Sequence, residues 1–518
     1  MLNRRRLKQL EKQMDSANDY DAWKEAARKH DELSGMARWR QVDQTTLYDY
    51  GQIRLRLDKL RSLRAKRDYQ GLLYTINEGI HGNIAGMGNP ALYSRAKYGT
   101  KNLIEAYIHE VDDALKLLAE LDTSVIPLQE KLDFFYRINV CFGRTGLMLS
   151  GGGALGFYHL GVVKAMLERN VLPTVISGSS AGSIMAALVG THSDRQLKRF
   201  YQPAALLDEA REEASALTRL LSGRSSQIDV GDLERMIKRL IPNLTFQEAY
   251  AKTGRQISMS VAPAEPQQRS RLLNAITSPN VYVRSAVMAS CAVPGVFPPV
   301  MLMAKNAHGE AQPYLPSRRW VDGSIADDLP AKRLSRLYST NHYIVSMVNP
   351  VVIPFLSSNA APRSRLSGLR SALAGLGVGM GREVLGFYQR LAQRDGEKWP
   401  RVNMVINSVH ALLDQEYTGD INILPRFRWF NPAKLLSHLS EKELMALLRE
   451  GELSAWGELD SRTLDEILQG FEQSGGEADK PRASRRRPPP VKTTPSKKRP
   501  RKPRAKKSAA KAPAKRSA

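Results

Sequence analysis

The sequence predicts an α/β fold with a mainly parallel central sheet, a helical region before it and a basic, disordered tail after it. Three observations carry this. Thr145 to Thr191 reads as strand, glycine loop, helix, strand, tight turn, helix, the βαβα order of a parallel sheet. Residues 20–120 repeat their apolar positions at helical spacing, without the alternation of a strand. Residues 481–518 hold sixteen Lys and Arg and no Asp or Glu.

The βαβα unit is justified piece by piece. Leu147, Met148 and Leu149 form a short apolar run that ends in three glycines. Leu160, Val163, Met166 and Leu167 then fall on one helical face. Val175-Ile176 leads into Gly178-Ser179-Ser180-Ala181-Gly182, and a second apolar helix follows.

That second turn fits G-x-S-x-G, the nucleophile elbow, with Ser180 at its centre. The elbow holds its serine in a strained backbone conformation between strand and helix. Gly178 and Gly182 allow the close packing this requires, and Ser180 Oγ faces out at a helix N-terminus. The plain alternative is an ordinary strand-to-helix turn. The strand before and the helix after favour the elbow.

The first turn, Gly151-Gly152-Gly153-Ala154-Leu155-Gly156, fits G-x-G-x-x-G. A dinucleotide loop of this type wants an acidic residue about 20 positions on, at the end of the next strand. Here the next strand runs into Ser180, and Glu168 falls too early, within the helix. Backbone N–H groups of Gly151, Gly152, Gly153 and Ala154 instead suit an oxyanion hole. Gly156 gives room at the helix start. The two turns put donors and nucleophile at the same end of adjacent strands.

At this point the chain resembles the patatin-like phospholipase and lipase family, through GGGALG and GSSAG. The family uses a Ser–Asp dyad whose aspartate lies in a later D-G-A/G turn. The resemblance implies Asp322 in that role, within Asp322-Gly323-Ser324, with a serine in place of the usual small third residue. Ser285 to Val300, SAVMASCAVPGVFPPV, is similar to the family's spacer before the aspartate. The matching motifs span about Leu147 to Pro350 and imply a patatin-like three-layer fold.

Further stretches narrow the resemblance. WKEAARKHDEL, LYDY, HGNIAGMGNPALY and GTKNLIEAYIHEV resemble the helical domain of unknown function in plant sugar-dependent lipase and yeast triacylglycerol lipases. YHLGVVKAM, SPNVYVRSAVMASC, MVNPVVIPF and QEYTGDINILP resemble the same branch. Leu155 stands where many patatins carry Arg or Lys, a departure this branch explains. The implied division is 17–140 helical domain, 145–350 catalytic core, 351–472 extension of the core, and 475–518 tail.

Composition sets outer limits. The 518 residues are 42% hydrophobic, ample for two or three domains. Cys141 and Cys291 lie far apart with no metal-ligand spacing, and the reading is two small packed side chains in a reducing compartment. No cofactor or metal is expected. The start MLNRRRLKQLEKQM lacks an apolar stretch, and no run reaches 18 apolar residues, so neither a secretory signal nor a membrane span is expected. The expected location is cytoplasmic, peripheral to a membrane or lipid-droplet surface.

Along the chain, residues 1–16 are charged and helical or frayed. Helical stretches follow from Tyr20 to Glu120, broken by a turn-rich segment from Gly71 to Tyr98. His81 and His109 read as surface or packing residues. SDRQLKRFYQ and DLERMIKRLIP are amphipathic helices, Gln256–Val261 a strand, and His342–Val348 a further strand. Residues 364–395 carry apolar residues at helical spacing, weakened by six glycines. They read as a helix covering the sheet or as a movable, membrane-facing lid. MVINSVHALLDQEYTGDINILP reads as helix then strand, and helical patterns run from Pro432 to Glu472.

Of the net charge of +25, sixteen positive charges lie in 481–518, so the preceding chain keeps +9. The Lys/Ala/Pro tail suits anionic lipid or nucleic acid. It has no aromatic residues for base stacking, and a passive solubiliser is the alternative.

The resemblance implies that Ser180 attacks an acyl carbonyl, Asp322 takes its proton, and an acyl-enzyme forms. A Ser-His-Asp triad is the rival, with His342, His410 and His438 available. None sits in a recognisable loop motif. The expected function is hydrolysis of lipid fatty-acyl esters, triacylglycerol or phospholipid. The alternative is a nonenzymatic lipid- or nucleic-acid-binding protein on a hydrolase fold. Intact motifs favour the enzyme.

Overall fold

The computed structural model describes residues 2–79, 83–202, 206, 230–265, 269–294, 296–350, 352–353, 419–426 and 439–459. His81, His410, His438, the glycine-rich stretch 364–395 and the basic tail lie outside the described residues.

Six strands form the spine of the sheet: β1 (Arg144–Leu149), β2 (Val175–Gly178), β3 (Gln256–Pro263), β4 (Arg271–Asn274), β8 (Thr340–Ser346) and β9 (Ile421–Ile423). Their order is β4-β3-β2-β1-β8-β9. The β3-β2-β1-β8-β9 pairings are parallel, and β4 is antiparallel to β3. A short strand, β7 (Trp320–Asp322), also pairs antiparallel with β3. A small hairpin of β5 (Met303–Lys305) and β6 (Ala311–Pro313) stands apart. The sheet is mainly parallel, as the βαβα reading requires.

Both faces of the sheet are buried, and the period-2 alternation of strand side chains shows how. Leu147, Leu149, Ile176 and Ile344 enter one apolar cluster. Their neighbours Met148, Val175 and Val345 enter another, on the opposite face, with Leu334 and Tyr338. Leu334 and Tyr338 belong to the helix Ala331–Tyr338. Two covered faces make a three-layer α/β fold.

The helical region consists of α1 (Leu2–Ser16), α2 (Tyr20–Ser34), α3 (Met36–Gln41), α4 (Tyr50–Lys66), α5 (Tyr69–Asn77), α6 (Pro90–Tyr93), α7 (Asn102–Glu120) and α8 (Leu128–Phe142). Asp19 caps α2 by accepting Ala22 N–H at 2.8 Å, and Gly35 ends that helix in a left-handed turn, as helix-end chemistry favours. The region has two packing allegiances. Trp23, Ala26 and Ala27 of α2, with Met14 of α1, belong to the sheet's own cluster. Ile53, Leu57, Leu60, Leu72, Ile104 and Leu115 build a separate core among α4, α5 and α7. Cys141, expected to be packed, is exposed on α8 because that helix turns this face to solvent.

A C-terminal helix, Glu441–Leu459, lies against α9 (Phe157–Glu168). The crossing is close enough that a Cβ on Gly161 would overlap the Leu448 carbonyl, and one on Gly451 the Tyr158 carbonyl. Lys164 pairs with buried Glu452 across it, and Arg449 reaches the same carboxylate at 2.6 Å. Tyr20 meets Trp456 edge to face at 6.3 Å. Arg426 joins Glu450 at 2.8 Å and also pairs with Asp15 of α1. The helix that follows the glycine loop is thus held by residues from both ends of the described chain.

Candidate active site

The site forms where β1, β2 and β7 end. After β1 come Ser150, Gly151 and Gly152, then a 3-10 turn, Gly153–Gly156, which enters α9. After β2 come Ser179 and Ser180, then α10 (Ala181–Thr191). Parallel pairing sets Leu149 beside Gly178, so both turns leave the sheet at the same edge.

Ser180 has φ 49° and ψ −122°. A non-glycine residue at positive φ costs about 1–3 kcal/mol and persists only when its surroundings enforce it. The enforcement is visible. A Cβ on Gly178 would strike the Gly182 carbonyl, and one on Gly182 would strike the Leu149 carbonyl. The strand and helix can approach this closely only with glycine at both positions. Ser180 N–H donates to Ser290 Oγ at 3.0 Å, while its carbonyl accepts the Ser183 hydroxyl at 2.6 Å and the Cys291 thiol at 3.3 Å.

Asp322 ends β7. Its N–H donates to the Ala292 carbonyl at 2.9 Å. Gly323 follows, and any side chain there would overlap the Ser260 backbone of β3. The Asp322 carboxylate accepts Ser324 N–H at 2.8 Å and has the Ser180 side chain beside it, whose polarity favours its ionised form. Asp322 is 2% exposed. Burial raises its carboxyl from the usual 3.8 to about 6, against the lowering effect of those neighbours. An ionised but unusually basic carboxylate results, suited to accepting a hydroxyl proton.

The glycine loop lies alongside. A Cβ on Gly151 would stand 3.3 Å from Ser180 Cβ and 3.2 Å from Ser324 Cβ. One on Gly156 would stand 2.8 Å from Ala181 Cβ. Gly151 N–H is already engaged, donating to Asp328 Oδ1 at 2.9 Å. Gly152, Gly153 and Ala154 supply the remaining amides of the loop.

Three residues that the sequence reading passed over organise this site. Asp328 is 1% exposed and accepts the Gly151 amide and the Ser179 hydroxyl. Its signal was the second acid of Ala326-Asp327-Asp328-Leu329, where a charge precedes an apolar residue and a proline. Ser290 holds the Ser180 amide; as a small polar residue in an apolar helix it gave little signal. His159 is fully buried in α9. Its Nε2 lies 3.0 Å from the Ser150 carbonyl and its Nδ1 2.7 Å from Ser346 Oγ. Desolvation lowers it to about 4, so the ring is neutral. A carbonyl only accepts, so Nε2 carries the proton and Nδ1 accepts from Ser346. His159 is therefore occupied in bracing the loop.

His342 sits opposite Thr145, at the start of β1. Ser180 follows the far end of β2. Strands rise about 3.3 Å per residue, which puts His342 at the wrong edge of the sheet for a triad. His109 is a surface residue whose Nδ1 lies 2.7 Å from the Glu105 carbonyl. Among the described residues no group of His, Cys, Asp and Glu has metal-holding geometry.

A parallel sheet with a glycine loop and a strained serine at adjacent strand ends defines a hydrolase of the α/β class. Comparison with known families then gives two matches: residues 1–140 match a domain of unknown function, DUF3336, and residues 147–334 match the patatin-like phospholipase model. A patatin-like phospholipase domain-containing protein of Aspergillus niger is 33% identical over 518 residues, covering 93% of this chain and 68% of the relative. Its Aspergillus fumigatus counterpart is 31% identical, covering 92% of this chain and 71% of the relative. The triacylglycerol lipase SDP1L of Arabidopsis thaliana is 33% identical over 469 residues, covering 86% of this chain and 55% of the relative. The chain belongs to the patatin-like phospholipase family and is by class a lipid hydrolase.

Proposed function

We propose that this protein hydrolyses fatty-acyl esters of lipids, triacylglycerol or phospholipid, through a Ser180–Asp322 dyad and an acyl-enzyme. The observation that carries the reading is the buried Asp322 carboxylate set beside the Ser180 side chain, which favours its ionised form, at an elbow of positive φ. Asp322 takes the Ser180 proton as Oγ bonds to the acyl carbon, and the carbonyl electrons move onto oxygen. The amides of Gly152, Gly153 and Ala154 face that charge, with Gly151 fixing the loop, and the N-terminus of α10 adds its dipole. The tetrahedral adduct collapses, the ester C–O bond breaks, and the alcohol leaves with the proton from Asp322. Water repeats the sequence on the acyl-enzyme and releases the fatty acid.

The choice between the two lipid classes leans on the relatives' names, one a triacylglycerol lipase and others phospholipase-like. The lipid is reached from a membrane or lipid-droplet surface on the cytoplasmic side, with the basic tail holding the enzyme to anionic lipid or to nucleic acid. Among the described residues no helix is long and apolar enough to cross a membrane. The test is fatty-acid release by purified protein from a panel of triacylglycerols and phospholipids, with Ser180→Ala alongside. Release from one class and none by the variant is expected. Equal release by both proteins, or none by either, would remove the proposal.

A further inference from the structure

Asp328 is a buried carboxyl group that the steps above do not use. Its Oδ1 accepts Gly151 N–H at 2.9 Å and also the Ser179 hydroxyl. The Asn349 side chain hydrogen-bonds the same carboxyl. Gly151 follows β1, Ser179 follows β2, and Asn349 follows β8. Three adjacent parallel strands therefore deliver their exit turns to one side chain.

The convergence matters because of what the two nearest turns carry. Gly151 opens the glycine loop, and Ser179 precedes the nucleophile. Oxyanion donors act only when placed within about 2.7–3.1 Å of the developing charge. The backbone joins the two turns through a long bond, Ser179 N–H to the Leu149 carbonyl at 3.3 Å. Asp328 adds a second connection, directly between the first loop amide and the elbow.

We propose that Asp328 is a positioning residue: its carboxyl group ties the glycine loop to the nucleophile elbow and sets the distance between the oxyanion donors and Ser180 Oγ. This rests on the Ser180–Asp322 reading of the site. The groups that face Asp328 are the Gly151 amide, the Ser179 hydroxyl, the Asn349 side chain and, as the charged neighbour, Asp322. Burial, with a smaller push from the Asp322 charge, raises the Asp328 carboxyl to about 7. With the higher value of the two, Asp328 is largely protonated where Asp322 titrates.

Two substitutions separate geometry from charge. Asp328→Ala removes the tie. Asp328→Asn keeps an oxygen acceptor at the same place and removes the charge. Expected for the alanine variant is a fall in kcat of about 100-fold, the scale of a lost oxyanion donor, with KM within threefold of wild type. The asparagine variant is expected to recover most of that kcat, with the acidic limb of its pH–rate profile unmoved, because Asp328 is already largely protonated where Asp322 titrates. A merely structural role would lower the melting temperature and leave kcat of the folded alanine variant near wild type. An alanine variant with wild-type kcat, or an asparagine variant as slow as alanine, would each overturn the proposal. If Asp328→Ala does not fold, Ser179→Ala severs only the elbow side of the tie. It should lose at least fivefold in kcat with KM unchanged, and wild-type kcat there would overturn the proposal equally. Fluorophosphonate labelling of wild type and Ser180→Ala is run in parallel. Labelling that survives Ser180→Ala would mark failure of the site reading itself, as distinct from failure of the tie.

Discussion

Ser290 Oγ accepts the backbone N–H of Ser180 at 3.0 Å and donates its own proton to the Ser260 carbonyl at 2.8 Å. One hydroxyl thus joins the strained elbow to β3, the strand beside β2 in the sheet but remote from it in sequence. It accounts for where the elbow's buried amide goes. A buried donor left without a partner costs about 1–3 kcal/mol. Ser290→Ala should therefore melt several degrees lower and turn over at least tenfold more slowly, since the nucleophile's backbone is freed. Thermal unfolding and ester hydrolysis on the same preparation check this; a variant equal to wild type in both would deny Ser290 its part in the elbow.

The dyad has its own test. Ser180→Ala should abolish ester hydrolysis and fluorophosphonate labelling while leaving the circular dichroism spectrum intact. Asp322→Asn should lower turnover by several orders of magnitude, because the nucleophile loses its base. Normal turnover in either variant sinks the assignment.

The pH dependence follows from burial of Asp322, whose carboxyl is raised to about 6. The base must be ionised, so turnover should fall as pH drops through about 6. Stability runs the opposite way. A carboxyl raised on folding binds its proton more tightly in the folded state. Its stabilising contribution is fully present below the unfolded value near 3.8 and is lost as pH rises through about 6. Asp322→Asn should accordingly melt higher than wild type at pH 8, by as much as about 3 kcal/mol at about 1.4 per pH unit, and the gap should close by about pH 3. Melting curves at both pH values decide it, and a destabilised Asn variant at pH 8 would contradict the argument.

Histidine should not matter to the chemistry. His342 lies at the opposite edge of the sheet from Ser180. His342→Ala should keep turnover within about threefold of wild type, as should alanine at His410 or His438 in variants that stay folded. A loss on the scale of Ser180→Ala at any of them would point to a triad.

The tail can be separated from the chemistry. Residues 481–518 contain no acid and no histidine. A chain ending near Asp479 should keep full activity on a soluble short-chain ester and lose most salt-sensitive binding to anionic vesicles and to DNA. Near an anionic membrane each basic residue contributes about 1 kcal/mol, screened by salt. Binding measured at low and high salt to each ligand checks this. Unchanged binding at low salt would make the tail a passive solubiliser.

Much of the site was legible because its chemistry is local in sequence. Gly178 and Gly182 flank Ser180 within five residues, and their reason, the closeness of strand and helix, is a property of the turn itself. The strand Gln256–Val261 was visible by alternation and extends to Pro263. The strand expected at His342–Val348 begins two residues earlier, at Thr340. The helix α8 and the short antiparallel strands β4 and β7 gave too little period to be read. A three-residue strand such as Trp320–Asp322 owes its form to the partner it meets, here Val261 to Pro263 of β3.

The sequence by itself determined the βαβα unit, the elbow around Ser180 and the glycine loop beside it, because apolar period and glycine placement act over a few residues. Resemblance to a known family supplied Asp322, which no local rule singles out. Only the tertiary structure decided which polar groups complete the site. Asp328, Ser290 and His159 each act through atoms far along the chain: the Gly151 amide, the Ser180 amide, and Ser346 with the Ser150 carbonyl. The physical reason is the cost of burying a polar group. Each buried donor or acceptor must find a partner, and the partner is whichever group the packed sheet brings within about 3 Å, a fact settled by strand order and invisible to residue spacing.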